Sequence, residues 1–248
     1  ERVKVMASRT RPIMPVMVSD CTDPYQPLEA RLGLTRHCLG VLIRQGFPVL
    51  VVTKSDLVVR DADLLATGRC VVSITITTLD AELARRLEPG APSPSRRLEA
   101  LARLSELGLP VTARVDPLLP GLNDDPADLR ELVQAIADAG ARQITSSTFK
   151  LVRGTFKLMA SRAPDLYEAV RPAYEHAEWR GGYLYLPAER RYAIMKAVRE
   201  LALEAGLAFA TCREGFLDLN TTICDGTAYI RAAGRGLTIF LSTGNSSR

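Results

Sequence analysis

Polar and ionisable side chains follow several predicted strands of this sequence at the point where each strand ends. The runs are Ser19-Asp20-Cys21-Thr22-Asp23, Thr53-Lys54-Ser55, Asn123-Asp124, and Ser146-Ser147-Thr148 with Lys150 beyond it. In parallel α/β folds the carboxyl ends of the strands form the face that binds ligands. Asp, Ser and Pro are also common in ordinary caps and turns, but four such strand ends in one chain favour a binding site.

Polar residues also alternate within two of the strands. The alternating positions are Ser73, Thr75 and Thr77 in one strand and Thr112, Arg114 and Asp116 in the next. Residues two apart share one face of a strand, so each strand has one polar and one apolar face. A closed eight-stranded barrel fills its interior with branched apolar side chains, and unpaired buried polar groups are costly. The pattern therefore predicts a wider or partial barrel with a polar cavity.

Strands alternating with amphipathic helices must position these residues. The predicted strands cover residues 3–7, 15–19, 48–53, 71–77, 111–118, 143–149 and 207–211. Ser93-Pro94 and Asp125-Pro126 each combine a capping side chain with a first-turn proline, which predicts two helix starts. A third helix is predicted over 188–206. This order of elements is typical of βα units around a parallel sheet, in one domain covering residues 1–248.

The amino-acid composition and net charge are those of an ordinary globular protein. Among 248 residues, 24% are charged and 47% are hydrophobic, and the net charge is +4. That small surplus permits an anionic partner without requiring one. No apolar run approaches the roughly 20 residues that span a bilayer, and no secretory signal is visible. We therefore expect a cytoplasmic protein with no membrane contact.

Six segments carry a collinear resemblance to a known family. They are DCTDPYQPLE at 20–29, VVTKS at 51–55, VSITITTLD at 72–80, VDPLLPGLND at 115–124, ATCREG at 210–215 and CDG at 224–226. The chain resembles the radical S-adenosylmethionine (SAM) enzymes of the spore photoproduct lyase-like and DNA repair photolyase-like group. The resemblance implies an α/β fold, a partial (β/α)6 TIM-like barrel of parallel strands with outer helices. A nucleic-acid substrate is implied only by analogy with the lyase.

The resemblance also implies cofactors: SAM, and a [4Fe–4S] cluster at which SAM is reductively cleaved to a 5′-deoxyadenosyl radical. An electron donor such as ferredoxin or flavodoxin would supply the electron. Family members hold the cluster with a C-x3-C-x2-C loop, because thiolates are its ligands. The five cysteines here do not have this spacing, so no metal ligand is assigned. We expect that loop in a stretch outside this chain, since the chain begins at Glu1 rather than Met; loss of the chemistry is the alternative.

Six residues are expected to bind SAM on the strength of the resemblance and of their own chemistry. They are Asp23, Lys54, Ser73, Thr75, Arg114 and Asp116. Family members place small hydroxyls near the SAM sugar, and cationic side chains bind carboxylates through charge-assisted hydrogen bonds. Asp23 is expected either to bind the SAM amino group or to cap a helix that begins near Pro27. Arg114 lies inside a strand and needs a buried partner, for which Asp116 is the candidate.

Cysteines outside a cluster motif are also candidates for chemistry. In spore photoproduct lyase a cysteine after the second strand donates a hydrogen atom, and Cys21-Thr22-Asp23 resembles that run. Cys21 is therefore the candidate catalytic residue, the alternative being a small packed side chain. Cys212 and Cys224 lie in polar, glycine-flanked loops, where they could line the site, touch a metal or be free thiols.

Two other functions stay open at this stage. One is a barrel without a cluster that binds SAM or a phosphate-bearing ligand. The other is a hydrolase or aldolase that uses Lys54 or Lys150 together with Asp116. A C-x3-C-x2-C run in the full-length gene product would favour the radical enzyme over both.

Overall fold

Six parallel strands form the main sheet. The computed structural model describes Val3, Val5, residues 14–18 and residues 22–230. The strands are β1 (Val16–Val18), β2 (Val49–Thr53), β3 (Cys70–Thr75), β4 (Val111–Leu118), β5 (Gln143–Thr148) and β9 (Ala208–Thr211). Their order in the sheet is β1-β2-β3-β4-β5-β9, so each strand lies beside its predecessor in the main sheet. All five strand pairings are parallel, which confirms the predicted α/β fold.

Helices cover the outer face of this sheet. They are α1 (Glu29–Leu32), α2 (Leu34–Arg44), α3 (Ala62–Ala66), α4 (Ala81–Leu87), α5 (Pro94–Glu106), α6 (Pro126–Asp138) and α9 (Ala188–Glu204). A 3-10 turn, Asp56–Asp61, precedes α3, and two more, Leu217–Leu219 and Thr227–Tyr229, follow β9. As predicted, Ser93 caps α5 by accepting from the Arg96 N–H, and Asp125 caps α6 by accepting from the Ala127 N–H. Both caps lie directly before a proline, so the local sequence determines where these helices begin.

The main core lies between the sheet and these helices. Alternate strand residues such as Val72, Ile74, Ala113, Ile144 and Phe209 point outward and are fully buried in one apolar cluster. In β3, β4 and β5 most of the alternate residues between them are polar, and these point to the interior of the curved sheet. The register pairs Ser73 with Thr112, Thr75 with Arg114, and Arg114 with Thr145. We call this set of inward side chains the polar interior face; the sequence pattern predicted it.

A second, antiparallel sheet is inserted between β5 and α9. It has the order β6-β8-β7, from β6 (Leu151–Val152), β7 (Glu178–Arg180) and β8 (Tyr183–Tyr185). Two helices, α7 (Thr155–Arg162) and α8 (Pro164–Val170), and a 3-10 turn, Arg171–Tyr174, complete the insertion. It has a small apolar core of its own, formed by Leu119, Leu151, Val170, Ala173, Tyr174 and Leu186. This sheet was not predicted, although the Gly-Gly pair at 181–182 between β7 and β8 is a hairpin signal.

The segment after β9 lies along the free edge of that strand and then enters the interior. We call residues 220–230 the closing segment. Its Thr221 N–H donates to the Phe209 carbonyl at 2.8 Å, and the Asn220 side chain accepts from the Thr211 N–H at 2.6 Å. Further along, Thr145 donates to the carbonyl of Cys224 at 2.8 Å. The closing segment thereby covers the β9 edge with hydrogen-bonded chain.

The strand predicted over residues 3–7 is wrong where the structure describes it. Val3 and Val5 are helical. The prediction rested on β-branched side chains, whose preference for strands depends on packing against neighbouring strands rather than on the backbone alone. Five of the other six predicted strands agree with the structure to within two residues at each end. Ser19, at the end of the sixth, lies outside the described residues.

Replacement of Gly121 by Ala tests how the insertion docks on the main sheet. A Cβ at Gly121 would lie 2.8 Å from the carbonyl oxygen of Ala169 in α8, while one at Gly108 meets nothing within 4 Å. Both glycines have left-handed backbones, with φ of 85° and 77°. Gly108→Ala should therefore lower the free energy of unfolding by about 1–2 kcal/mol. Gly121→Ala should lower it by about 1 kcal/mol more, as measured by urea denaturation; equal losses would show that α8 does not pack there.

Candidate functional site

A cavity of about 490 Å³ opens inside the curved sheet at the carboxyl ends of its strands. We call it the lumen cavity. It is lined by Met17, Leu50, Val52, Arg114, Asp116, Pro117, Ser147, Thr148, Phe149, Lys150, Tyr183, Cys212, Arg213, Cys224 and Asp225. Strands β1, β2, β4 and β5, the hairpin strand β8 and the closing segment all contribute to its wall. The polar interior face of β4 and β5 therefore has a cavity above it, as the sequence predicted.

Arg114, Asp116 and Ser147 form a connected polar group in the wall of the lumen cavity. The Arg114 guanidinium donates to one carboxylate oxygen of Asp116 at 2.6 Å, and the Ser147 hydroxyl donates to the other. Burial disfavours the charged guanidinium, but Asp116 and Cys212 together outweigh it, so the pKa of Arg114 lies above its usual value. The structure thus gives the strand-interior Arg114 the buried partner that the sequence required.

Two cysteines lie beside this group. Cys212 follows β9, and Cys224 belongs to the closing segment; their thiols are in hydrogen-bond contact. The hydrogen bond from Cys224 and the charge of Arg114 lower the pKa of Cys212, although burial raises it. The same hydrogen bond and burial raise the pKa of Cys224. Cys212 is therefore the better thiolate of the two.

A buried ionic cluster supports the loop that carries Cys212. The carboxylate of Glu214 is inaccessible to solvent and lies 2.7 Å from both Lys150 and Arg191. It also accepts from the Thr148 N–H at 2.7 Å and from the Thr148 hydroxyl at 3.0 Å. We call Lys150, Arg191 and Glu214 the buried ionic cluster. It joins the end of β5, the start of α9 and the loop after β9.

Arg213, between Cys212 and Glu214, has a left-handed backbone with φ of 58°. Its guanidinium stacks on the Tyr183 ring at 4.8 Å from the ring centroid. Arg191 lies similarly over the ring of Phe216, at 4.9 Å. Such contacts between a cation and an aromatic face are attractive. The contact of Arg213 holds the inserted sheet at the rim of the lumen cavity, and the contact of Arg191 joins α9 to the loop after β9.

Asp23 is held against the end of β2. Its carboxylate accepts from the Tyr25 N–H at 2.8 Å, the Thr53 hydroxyl at 2.7 Å and the Lys54 N–H at 2.7 Å. It lines a second cavity, of about 760 Å³, together with Lys54 and Arg60. Asp23 therefore ties the loop after β1 to the neighbouring strand. No helix-capping bond of Asp23 is found among the described residues: α1 begins at Glu29, after Leu28.

Lys54 lies between the second cavity and a third one. Its ammonium is 3.6 Å from Glu88, whose other oxygen is 2.5 Å from the buried Arg97. Arg97 in turn donates to the Thr75 carbonyl at 3.1 Å. The third cavity, of about 720 Å³, is largely apolar, and it shares Pro117 and Phe149 with the lumen cavity. Three adjoining cavities thus run along the carboxyl edge of the sheet.

The structure brings some of the predicted site residues together and separates others. Arg114 and Asp116 share the lumen cavity. Asp23 and Lys54 share the second cavity instead. Ser73 and Thr75 are buried on the polar interior face, and they are not among the described residues that line the three cavities. Cys21 lies outside the described residues.

Comparison with known proteins identifies the family. The model of the radical SAM superfamily matches residues 13–143, which is more than half of the 248-residue chain. The chain belongs to the radical SAM superfamily. This membership confirms the resemblance seen in the sequence.

Relatives of known sequence agree with this assignment. An uncharacterized protein of Mycobacterium tuberculosis is 33% identical over 195 residues, covering 75% of this chain and 56% of the relative. A radical SAM Nα-GlyT isomerase of Pseudomonas phage M6 is 22% identical over 222 residues, covering 86% of this chain and 45% of that protein. The chain therefore spans about half the length of these relatives.

Solved structures share the fold of this radical SAM chain. Spore photoproduct lyase complexed with dinucleoside spore photoproduct superposes with a TM-score of 0.69 at 15% identity, covering 85% of this chain and 64% of the lyase. SuiB of Streptococcus suis, bound to S-adenosylmethionine, gives a TM-score of 0.54 at 13% identity, covering 81% of this chain and 40% of SuiB. These similarities confirm that the six-stranded sheet is a partial TIM-like barrel of the radical SAM type. None of the helices in the described part of the chain is long and apolar enough to cross a membrane.

The two cofactors of the family fit this chain to different degrees. The polar pair Arg114 and Asp116 offers opposite charges at an open cavity, which suits the carboxylate and amino groups of SAM. No group of three or more His, Cys, Asp or Glu side chains among the described residues could hold a metal ion. The full 248-residue sequence also lacks a C-x3-C-x2-C run. These residues therefore do not fit the cluster.

Replacement of Glu214 by Gln tests the buried ionic cluster. The change leaves Lys150 and Arg191 buried without their counter-charge, and breaking a buried pair in this way costs about 3–5 kcal/mol. Glu204→Gln is the matched control, because Glu204 pairs with Arg130 on the surface and such pairs contribute about 0–1 kcal/mol. Urea denaturation measures both. Equal effects would show that the cluster does not hold the fold together.

Proposed function

We propose that this chain is the barrel of a radical SAM enzyme, which binds SAM and a substrate at the carboxyl edge of its sheet. The observation that carries the proposal is the pairing of Arg114 with Asp116 beside a cavity, at the carboxyl end of β4, in a chain of this family. Bound SAM would supply the radical chemistry of the family, and Arg114 and Asp116 would hold it in the lumen cavity. The protein would bind and orient SAM and the substrate, and it would exclude water from them.

The residues of the chain would bind SAM by charge and by hydrogen bonds. A guanidinium has five N–H donors, of which the contacts of Arg114 with Asp116 and Cys212 use only some. We assign the others to the SAM carboxylate and assign Asp116 to its amino group. Ser73 and Thr75 are buried beneath the three cavities that the described residues line, so they would approach the ribose only where SAM enters deeper than these cavities. Asp23 and Lys54 would bound the site at the end of β2. The proposal requires cluster ligands in polypeptide beyond these 248 residues.

The proposal also covers the domain, its partners and its place in the cell. Residues 1–248 would act as one domain, supported by the continuous sheet from β1 to β9. A ferredoxin or flavodoxin would supply the electron, in the cytoplasm. A nucleic-acid substrate is supported by the dinucleoside bound to the similarly folded lyase and by Lys54, Arg86 and Arg162, which line the apolar third cavity. Single-stranded nucleic acid is bound by cations that contact its phosphates and by surfaces on which its bases stack.

No contact supports a hydrolase or aldolase that uses Lys150. Its ammonium donates to Glu214 at 2.7 Å and to the carbonyl of Thr148 at 3.1 Å. A nucleophilic lysine needs an amine that can reach the substrate, whereas the side-chain nitrogen of Lys150 is engaged by Glu214 and Thr148.

The full-length protein, reconstituted anaerobically with iron and sulfide, tests the proposal. Iron and sulfide analysis with an absorption spectrum should show a [4Fe–4S] cluster, and reduction with SAM should yield 5′-deoxyadenosine by chromatography.

Arg114→Met should weaken SAM binding by roughly 10- to 100-fold, since it removes hydrogen bonds to a charged group. Arg130→Met, on the surface of α6, should bind SAM normally. A full-length protein without a cluster would support the cluster-free alternative and overturn the proposal.

Replacement of Cys21 by Ala tests the proposed hydrogen donor. A thiol S–H bond is weak enough to quench a carbon radical on the product. Cys21→Ala should therefore still form 5′-deoxyadenosine, while the yield of product falls and by-products accumulate. Cys38→Ala, on α2 and exposed, should change neither measurement. Normal product from Cys21→Ala would return Cys21 to the role of a small packed side chain.

A further inference from the structure

We propose that Cys212 and Cys224 are a redox-active pair that closes to a disulfide in the wall of the lumen cavity. The inference goes beyond the proposed function, because it concerns the thiols of this chain whatever reaction the cavity supports. It rests on the placement of two thiols from separate segments beside a cation and an open cavity.

Both cysteines are anchored to the same strand. The Cys212 N–H donates to the Ser146 carbonyl at 2.8 Å, and Thr145 donates to the Cys224 carbonyl at 2.8 Å. Residues 145 and 146 are neighbours in β5. This arrangement keeps the two thiols in contact, although eleven residues separate them in sequence. Bond formation then requires the two sulfur atoms to approach to roughly the 2.05 Å length of a disulfide.

The surroundings distinguish the two thiols. Arg114 contacts Cys212 and favours its thiolate, whereas Asp116 opposes it and Arg213 lies nearby with a further positive charge. Asp225, next to Cys224, disfavours a thiolate there. Low-pKa thiols beside cations are the nucleophiles in thiol–disulfide exchange. Cys212 is therefore the attacking thiolate and Cys224 the resolving thiol.

The reaction needs a low-molecular-weight disulfide as the oxidant. The Cys212 thiolate attacks one sulfur of that disulfide, which forms a mixed disulfide and releases one small thiolate. The Cys224 sulfur then attacks Cys212 and releases the second small thiolate, and the Cys224 proton passes to it. Two cysteine thiols are oxidised to one disulfide, and the small disulfide is reduced to two thiols.

Oxidation would change the lumen cavity in two ways. It would tie the closing segment covalently to the loop after β9, in addition to the hydrogen bonds that hold the segment to β9. It would also remove the thiolate charge beside Arg114. The oxidised cavity would therefore present one more unit of positive charge to an anionic ligand.

Two other described cysteines act as internal controls. Cys38 is exposed on α2, and Cys70 is buried in β3. Burial raises the pKa of Cys70 to about 11, which makes it a poor nucleophile. Neither is part of a thiol pair in the described part of the chain.

Oxidised glutathione is the probe for this pair. The full-length protein is incubated with it, alkylated, digested with trypsin and analysed by mass spectrometry; Arg213 lies between the cysteines, so cleavage after it separates them. Wild type should give a disulfide-linked pair of peptides. Cys224→Ser should instead hold glutathione on Cys212, and Cys212→Ser should leave Cys224 free for alkylation. Alkylation of both thiols in oxidised wild type, or no glutathione on Cys212 in folded Cys224→Ser, would overturn the proposal.

A second measurement uses wild type alone and does not depend on how the variants fold. The rate of iodoacetamide labelling reports the thiolate fraction. A lowered pKa means that the thiolate persists as pH falls, so labelling of Cys212 should change little from pH 8 to pH 7. Labelling of a cysteine in a short unstructured peptide, the reference thiol with a pKa near 8.5, should fall by about eightfold over the same range. A parallel fall for Cys212 would overturn its assignment as the attacking thiolate.

Discussion

The candidate site depends on one buried carboxylate. Glu214 has no solvent-accessible side-chain surface. Its partners are Thr148 at the end of β5, Lys150 two residues further on, and Arg191 in α9. A buried charge is tolerated only when partners compensate it, so these elements cannot move apart independently. The insertion begins and ends within this frame, between Lys150 and Arg191. Cys212 and Arg213 lie directly before Glu214, and the cluster therefore sets the wall of the lumen cavity.

The polar interior face satisfies its hydrogen bonds in two different ways. At the amino ends of the strands the chain itself provides the partners: Gln143 donates to the carbonyl of Ile223, and Thr145 to that of Cys224. At the carboxyl ends, Arg114, Asp116 and Ser147 pair with one another and border the lumen cavity. Among the described residues, the lumen cavity thus opens beside the second group. One sequence pattern therefore closes the sheet at one end and borders a cavity at the other.

The main sheet could be predicted from the sequence because its signals are local. Alternation within strands, and capping residues such as Ser93 and Asp125 before prolines, depend on a few neighbouring residues. The inserted sheet escaped prediction because its strands have only two or three residues, too few to show a period. Its one local signal was the glycine pair between Tyr183 and Arg180.

The candidate site could be predicted only in part. Arg114 and Asp116 were found because an arginine inside a strand needs a partner for its charge. Asp116 lies two residues away and therefore on the same face of the strand. Glu214 and Arg191 were missed, since their contact joins a loop to a helix 23 residues distant and neither position is unusual in its own segment. The contact between Cys212 and Cys224 depends likewise on how the closing segment folds back onto β5.

The left-handed backbone at Arg213 has a consequence for how this loop can vary. Three consecutive side chains point to three destinations: Cys212 to the lumen cavity, Arg213 to the Tyr183 ring and Glu214 to the buried ionic cluster. Loops usually tolerate insertions and deletions between homologues. Here a change of length by a single residue would displace the thiol and the carboxylate together. Functional homologues should therefore keep the length of this loop fixed, even where its sequence diverges.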